Sequence, residues 1–383
     1  MRGMKCSLVA ATSLGVLAVS SAASAQDPAA VYQKQNSAFR FAGDTIARYE
    51  WTRDIPVAAV GEQPFALLDQ DRYVLLARPR IEVTVGPFEA GVGGGFVYSD
   101  NINYEVPNSG TPPLKPPIIR DNFKSRDARL DLAWGKVTLG PVMAVGGRFL
   151  ITMPLTEMIW DRDLRPQGGA ATVTLGDAAS PARIRLHGIY ATGSHVFEDE
   201  SEMYGGGAEI SLGRPGEATL SVMGAYLEFD DLNKLEPPIR RQNTRVAGLI
   251  AREYKVVDIV GRLGRGGQVP TQLVIDYCWN NAIESDNKGL WIAAVLGAIG
   301  VSPAELQYTY AKVDKDATVA AFATDDFFWG TGWEGHRADI GVSTHKNNSI
   351  HAIAQWQRFK DSADPLVSQQ WVKRYRLEWH TKF

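Results

Sequence analysis

Cysteine is nearly absent. The 383 residues hold two, Cys6 and Cys278, and Cys6 sits in an N-terminal stretch that reads as removable. One remaining thiol excludes an internal disulfide framework, so stability must come from hydrogen bonding and packing. Long apolar runs are also missing. Beyond the first 25 residues none reaches the 18 or so needed for a helical membrane span, and the mean hydropathy of −0.17 is too polar for a helical membrane protein. No segment keeps a helical period, which argues against an all-helical or α/β fold. Charge of one sign is lacking too, with 40 basic and 43 acidic side chains and no basic run, so a nucleic-acid partner is not expected. The six histidines (His187, His195, His336, His345, His351 and His380) are scattered without metal-site spacing. No cofactor and no metal is expected, and no enzyme activity.

What the chain does have is alternation, most clearly at its end. Tyr375, Leu377, Trp379, Thr381 and Phe383 share one parity, and Arg374, Arg376, Glu378, His380 and Lys382 share the other. A strand has a side-chain period of two, so one face is aromatic and apolar and the other charged. Nothing follows that would cover the apolar face. A closed barrel in lipid accounts for both features, because the bilayer meets the apolar face, water meets the charged one, and closure leaves no edge. An alternating strand that ends on Phe383, with Tyr375, Leu377 and Trp379 on its apolar face, also resembles the C-terminal assembly signal of bacterial outer-membrane proteins. That resemblance implies the barrel-assembly machinery as a partner.

At the other end, Arg2 and Lys5 precede an apolar stretch from Leu8 to Val19 and the small-residue pattern Ala23-Ser24-Ala25. This reads as a secretory signal peptide over 1–25. Its removal leaves 358 residues with 38 basic and 43 acidic side chains. Residues 26–38 then form an N-terminal periplasmic segment, and 39–383 a single barrel domain.

From Phe39 onward, alternating segments of strand length are separated by turn residues. They run Phe39–Arg53, Tyr73–Gly86, Phe88–Ser99, Asp127–Thr138, Val142–Thr152, Ala170–Gly176, Ala182–Thr192 and Met203–Leu212. The series continues with Ala218–Phe229, Asn243–Leu263, Thr271–Asn280, Gly289–Ala298, Ala304–Val313, His336–His345, Ser349–Lys360 and Trp371–Phe383. Connections alternate in length. Gly86-Pro87 and Gly140-Pro141 are tight, whereas 100–126, 153–167, 193–202, 230–242 and 314–334 are long and polar. The expectation is an all-β, antiparallel transmembrane barrel of 16 strands (18 as the alternative), with short periplasmic turns and long external loops. A barrel of that size encloses water rather than a packed core.

Charges on the inward parity are the candidate pore lining: Arg78, Arg80, Glu82, Arg129, Asp131, Arg148, Arg183, Arg185, Arg337, Asp339, Arg374, Arg376 and Glu378. Arginine outnumbers carboxylate in this set, while acids gather in predicted loops at Glu198–Glu202, Asp230-Asp231 and Asp325-Asp326. A mildly cationic mid-pore beneath acidic mouths would give weak anion preference. The competing expectation is that opposite charges cancel across the wall. Gly289–Gly300 is apolar on both parities, which fits either a subunit contact or packing against an inward loop.

Several stretches resemble a family of bacterial outer-membrane porins. They are Phe39–Glu50 with Asp71–Thr84, the loop Met158-Ile-Trp-Asp-Arg-Asp-Leu-Arg-Pro-Gln-Gly168, Asp276-Tyr277 with Asn280 and Asp286–Gly289, and Asp325 to Arg337. The chain departs from that family over 327–333, where Phe-Phe-Trp and Trp333 stand in place of glycines. The resemblance implies a passive outer-membrane channel for small hydrophilic solutes, lying in lipid and lipopolysaccharide, with a homotrimer as the usual arrangement. By analogy with porins that fold one loop inward, Met153–Gln167 is the candidate constriction, carrying Glu157, Trp160, Asp161, Arg162, Asp163 and Arg165. A solute-specific channel is the runner-up, and a plugged barrel acting as an enzyme or adhesin stands third.

Overall fold

The computed structural model describes residues 39–57, 66–104, 127–177, 180–194, 200–214, 216–235, 240, 242–324, 326–327, 330–360 and 365–383. The expected leader and the segment 26–38 lie outside them. The strands in chain order are β1 (Phe39–Val57), β2 (Ala66–Val85), β3 (Phe88–Tyr104), β4 (Asp127–Leu139), β5 (Val142–Arg148), β6 (Pro166–Leu175), β7 (Ala182–Ser194), β8 (Glu202–Leu212) and β9 (Ala218–Asp230). A two-residue hairpin, β10 (Arg245–Val246) and β11 (Leu249–Ile250), precedes β12 (Tyr254–Arg265). There follow β13 (Thr271–Asn280), β14 (Lys288–Gly297), β15 (Ala304–Val313), β16 (Trp333–His345) and β17 (Asn348–Phe359). A short helix, α1 (Pro365–Gln369), then leads into β18 (Val372–Lys382).

All but β10 and β11 join one closed antiparallel barrel of 16 strands. Each strand pairs with its neighbours in sequence, and β1 pairs with β18. That seam can be read in the charges. Arg48 stands opposite Glu378 and Glu50 opposite Arg376, so a one-residue slip would set both pairs against the wrong face. Phe383 completes the closure. Gly43 N donates to Phe383 O at 2.8 Å, Phe383 N donates to Gly43 O at 3.0 Å, and the Phe383 ring stacks on Phe41 at 5.4 Å.

Side-chain parity sorts the wall. Phe41, Tyr49, Leu75, Ile81, Val83, Tyr226, Ile275, Tyr277, Leu306, Ile340, Leu377 and Trp379 lie exposed on the outside. Their strand neighbours Glu50, Arg72, Asp258, Asp276, Arg337, Arg374, Arg376 and Glu378 are buried inside. An outer surface this apolar is stable only against lipid or a partner.

Three expectations are corrected by local geometry. The register between β3 and β4 passes from Gly93 opposite Leu132 to Gly94 opposite Leu130, which makes Asp131 a bulge. One extra residue reverses parity beyond it. Leu132, which unbroken alternation from the exposed Leu130 and the inward candidates Arg129 and Asp131 would turn outward, is therefore buried inside, and Trp134 packs against the interior. Gly91, opposite Trp134, leaves room for the turned ring, because a Cβ there would lie 2.7 Å from it. The long strand expected over Asn243–Leu263 begins only at Tyr254, since the preceding residues form the small hairpin. Finally, β5 stops at Arg148 rather than Thr152, and the chain turns inward.

Two connections enter the barrel. Residues 149–165 bring Met153, Met158, Ile159, Trp160 and Leu164 inside, and residues 314–332 bring Ala317, Val319, Ala321, Phe322 and Phe327. Both pack on inward apolar residues of β6–β9 and β12–β15, including Ile189, Met223, Leu227, Val260, Val274 and Ala311, as one buried cluster. Trp291 of the doubly apolar strand β14 meets Phe327 edge-on at 5.6 Å. That strand therefore packs against an inward loop.

Closure at Gly43 is testable. A Cβ there would lie 2.6 Å from the Phe383 ring and 2.7 Å from Arg78 O, so Gly43→Val must push the seam apart. The folded, faster-migrating band of an unheated gel should disappear at a lower temperature than in the wild type. An unchanged transition would mean that the Phe383 contact does not hold the seam.

Candidate pore constriction

The two inward loops are joined to each other. Asp161 N donates to Phe322 O at 2.7 Å, Thr324 N donates to Glu157 O at 2.8 Å, and Trp160 stacks on Phe322 at 5.2 Å. Trp160 Nε1 also donates to Leu164 O at 3.2 Å, which rounds the first loop into a compact turn. The loop between β9 and β12 clamps the second from behind. Asn243 Nδ2 donates to Lys315 O and Thr318 O, both at 2.9 Å, and Ala320 N donates to Asn243 Oδ1 at 2.8 Å.

Toward β1–β4 and β16–β18 the loops present charge. Asp163 of the first loop pairs with Arg78, which also donates to Asp44 Oδ2 at 2.8 Å. Arg165 approaches the bulge residue Asp131 at 3.4 Å, and Arg162 pairs with Glu157. Asp326 of the second loop sits on the barrel seam. Its Oδ1 accepts from Arg376 Nη1 at 2.9 Å and Arg48 Nη1 at 3.2 Å, and its carbonyl accepts from Gln355 Nε2 at 2.9 Å. Glu50 accepts from Arg72 Nε at 2.9 Å and from Arg376. Arg48 Nε meets Glu378 at 2.6 Å.

Burial alone would raise the Asp326 carboxyl, but Arg48, Arg376, Arg162 and Arg337 around it hold it well below the usual carboxylate range. A carboxyl depressed on folding contributes stability above its unfolded range, and that contribution is lost only as pH falls through the depressed value.

The sequence-predicted lining residues do not form one ring. Arg78, Arg80, Glu82, Arg129 and Asp131 gather on β2–β4, where Arg80 pairs with Glu82 at 2.9 Å and Arg129 with Asp127 at 3.1 Å. Arg374, Arg376 and Glu378 gather at the seam. Arg337 meets Asp339 at 3.4 Å, and Asp339 also meets His351 Nδ1 at 3.1 Å. Arg185 lies on the packed side instead, held by Glu209 at 3.0 Å beside His187. Arg183 shares its parity nearer the short-turn rim. Arg148 is the exception. It stands opposite Ala133 on the outer parity and donates to Gln167 Oε1 at 2.8 Å and Leu130 O at 3.3 Å, because the bulge at Asp131 has reversed that part of the wall.

The described acids of the 314–332 connection are engaged with the protein itself. Asp314 pairs with Lys360, Asp316 accepts from Tyr254 Oη at 2.6 Å and Thr244 N at 2.8 Å, and Asp326 is internal. Asp325 and His195 lie outside the described residues. The inward turn of 314–332 was not anticipated. Its signal was the apolar run Ala317–Ala323 inside a loop read as polar.

No family model and no curated protein matches this chain. Solved structures do. The high-pH structure of Pseudomonas putida OprB is similar to it with a TM-score of 0.56 at 12% identity, over 90% of this chain and 94% of that one. Salmonella typhi OmpF in complex with daunomycin has a TM-score of 0.49 at 12% identity, over 90% and 97%. A triple mutant of the Rhodopseudomonas blastica porin has 0.47 at 9% identity, over 90% and 100%.

Asp326 gives a direct test of the loop arrangement. Asp326→Asn leaves Arg48 and Arg376 without their shared counter-charge, and hydrogen bonds to charged groups contribute about 1.5–3 kcal/mol. The variant should show frequent current flicker in single-channel records, whereas the wild type stays quiet from pH 7 down to about pH 5. A quiet variant would mean that the loop is held without Asp326. In its closed 16-strand wall and its inward-folded loops, the chain has the outer-membrane porin fold.

Proposed function

We propose that this chain is an outer-membrane porin that passes small hydrophilic solutes and ions by passive diffusion. The observation that carries the reading is the contrast between the two sides of the lumen. The side against β6–β9 and β12–β15 is packed with apolar residues. Along β1–β4, charged inward side chains keep water contact: Arg40 is 33% exposed, Arg80 21% and Asp44 22%. Solutes would follow this wetted side and pass the Arg78–Asp163 bridge. The leader over 1–25 would deliver the chain to the periplasm, and the strand ending at Phe383 would engage the assembly machinery. Lipid and lipopolysaccharide would surround the apolar face, in a homotrimer if the usual arrangement holds. No residue is assigned a catalytic role.

The charge set favours a weak preference for anions. At the seam four guanidiniums, Arg48, Arg72, Arg374 and Arg376, meet three carboxylates, Glu50, Glu378 and Asp326. Among the described residues this cluster thus holds one more guanidinium than carboxylate, in a low-dielectric setting. The packed loops favour a narrow bore over a wide one, so solute selection by size accompanies selection by charge.

Planar-bilayer recordings in asymmetric KCl test both statements. Stable open steps are expected, with a reversal potential displaced toward chloride by a permeability ratio of about 2. Arg78→Gln should lower that ratio. Folded, inserted protein that conducts nothing would overturn the channel reading, and a potassium-selective reversal potential would overturn the anion preference.

A further inference from the structure

Behind the first inward loop, the wall carries two carboxyl groups that the ion-pair network above does not use. Asp258 on β12 and Asp276 on β13 both point inward and are fully buried. Asp258 stands opposite Cys278 and Val260 opposite Asp276, so the two acids are diagonal neighbours on one face. Among the described residues, neither oxygen of Asp258 has a hydrogen-bond donor, nor has Asp276 Oδ1. The donor those residues give the pair is Thr156 of the loop, whose hydroxyl reaches Asp276 Oδ2. Arg262, on the same face, donates to Pro154 O of that loop, while its Nε and Nη1 meet no acceptor among them. Two of the loop's polar ties to the wall thus run through this group.

Adjacent carboxylates removed from water cannot both stay ionised. Among the described residues the surroundings supply one positive charge, Arg262; Glu209 of β8, also buried inside, is paired with Arg185. The other neighbouring strands add no charge among those residues. From β9 come Met223 and Ala225, opposite Val260 and Asp258, and from β14 comes Trp291, opposite Asp276. On β13 the next inward group is the Cys278 thiol, with Met158 Sδ of the loop 3.9 Å away. Glu157 is spent on Arg162 and Asp314 on Lys360. One hydrogen ion shared by the two acids would balance the group, supply the missing donor and leave the remaining negative charge to Arg262.

We propose that Asp258 and Asp276 form a proton-binding site behind the inward loop, and that its occupancy holds residues 149–165 across the bore. The proposal rests on the channel reading above. The clamped, dry state binds the proton more tightly than a released, hydrated one. The clamp is therefore stable at low and neutral pH and is lost as pH rises through the value set by the clamped site. Loss of the proton leaves two like charges facing each other beneath Thr156, which drives water in and the loop out.

The test is a single-channel pH series from about pH 6 to about pH 10, on the full-length refolded protein with EDTA present throughout. The wild type should show a reversible rise in conductance of about two-fold on the alkaline side. Asp258→Asn, neutral at every pH, should keep the low conductance. Maleimide labelling of Cys278, in protein carrying Cys6→Ser, gives a second readout. Cys278 lies beneath the loop and should be labelled faster in the wild type than in Asp258→Asn at the same alkaline pH. A wild-type conductance that is flat across the series overturns the proposal, even if the variant does not fold. An alkaline rise unchanged in Asp258→Asn overturns it too. A conductance at pH 7 that is higher with EDTA than in an EDTA-free control assigns the site to a metal cation and overturns the proton. Protein that forms no channel at any pH fails the porin reading, whereas a channel indifferent to pH fails only this inference.

Discussion

The shared hold of Arg48 and Arg376 on Asp326 is the interaction on which the interior depends. Arg48 belongs to the first barrel strand and Arg376 to the last, so one loop carboxylate bridges the seam that closes the barrel. The seam alone would gather guanidinium groups in a space of low dielectric. Glu50 and Glu378 offset part of that charge from within the wall, and Asp326 adds a third carboxylate from the loop. A buried charge without a partner costs several kcal/mol, so barrel closure and loop position stabilise each other.

That coupling makes the lumen two-sided. Against β6–β9 and β12–β15, the loops bury Trp160, Phe322 and Phe327 among wall residues such as Met223 and Leu227. Along β1–β4 they offer Asp163 and Arg165 to Arg78 and Asp131. A barrel of this strand number is too wide for its own side chains to fill. Apolar residues on inward parity therefore need something brought in to cover them, and the two loops do so. The first loop closes over Asp276 through Thr156, the second is pinned by Asn243, and backbone hydrogen bonds at Asp161 and Thr324 join them. The filling of the lumen is a composite of three connections, which limits how far any one can move without the others.

Much of this was legible in the sequence because the signal has period two. Tyr375 to Phe383 displayed the lipid face, the count of alternating segments gave 16 strands, and the alternating turn lengths gave the short-turn and long-loop ends. Glu157 to Arg165 lie on the connection over 149–165 that packs inside the barrel. What escaped depends on single residues or on distant partners. The bulge at Asp131 moves one residue out of step, and alternation alone cannot announce it, so Leu132, Trp134 and Arg148 were assigned to the wrong faces. The direction of 314–332 is fixed by Arg48, Arg376 and Asn243, all far away in sequence. Asp326 accordingly read as one more solvated loop acid. The run Ala317–Ala323 was the local clue, since a loop left in water has no use for seven residues containing a single polar side chain, Thr318. Trp333 and Phe327, at the point of departure from the glycine-rich porin pattern, belong to the same packed side.

The central claim is that the loop over 314–332 lies inside the barrel and narrows the bore. Conductance of a chain in which residues 317–324 are replaced by a short Gly-Ser link measures this most directly. If the loop occupies the lumen, the shortened protein, shown to be folded by its unheated gel migration, should conduct at least about two-fold more than the wild type. Equal conductance in the two folded proteins would place the loop outside the bore and contradict the account.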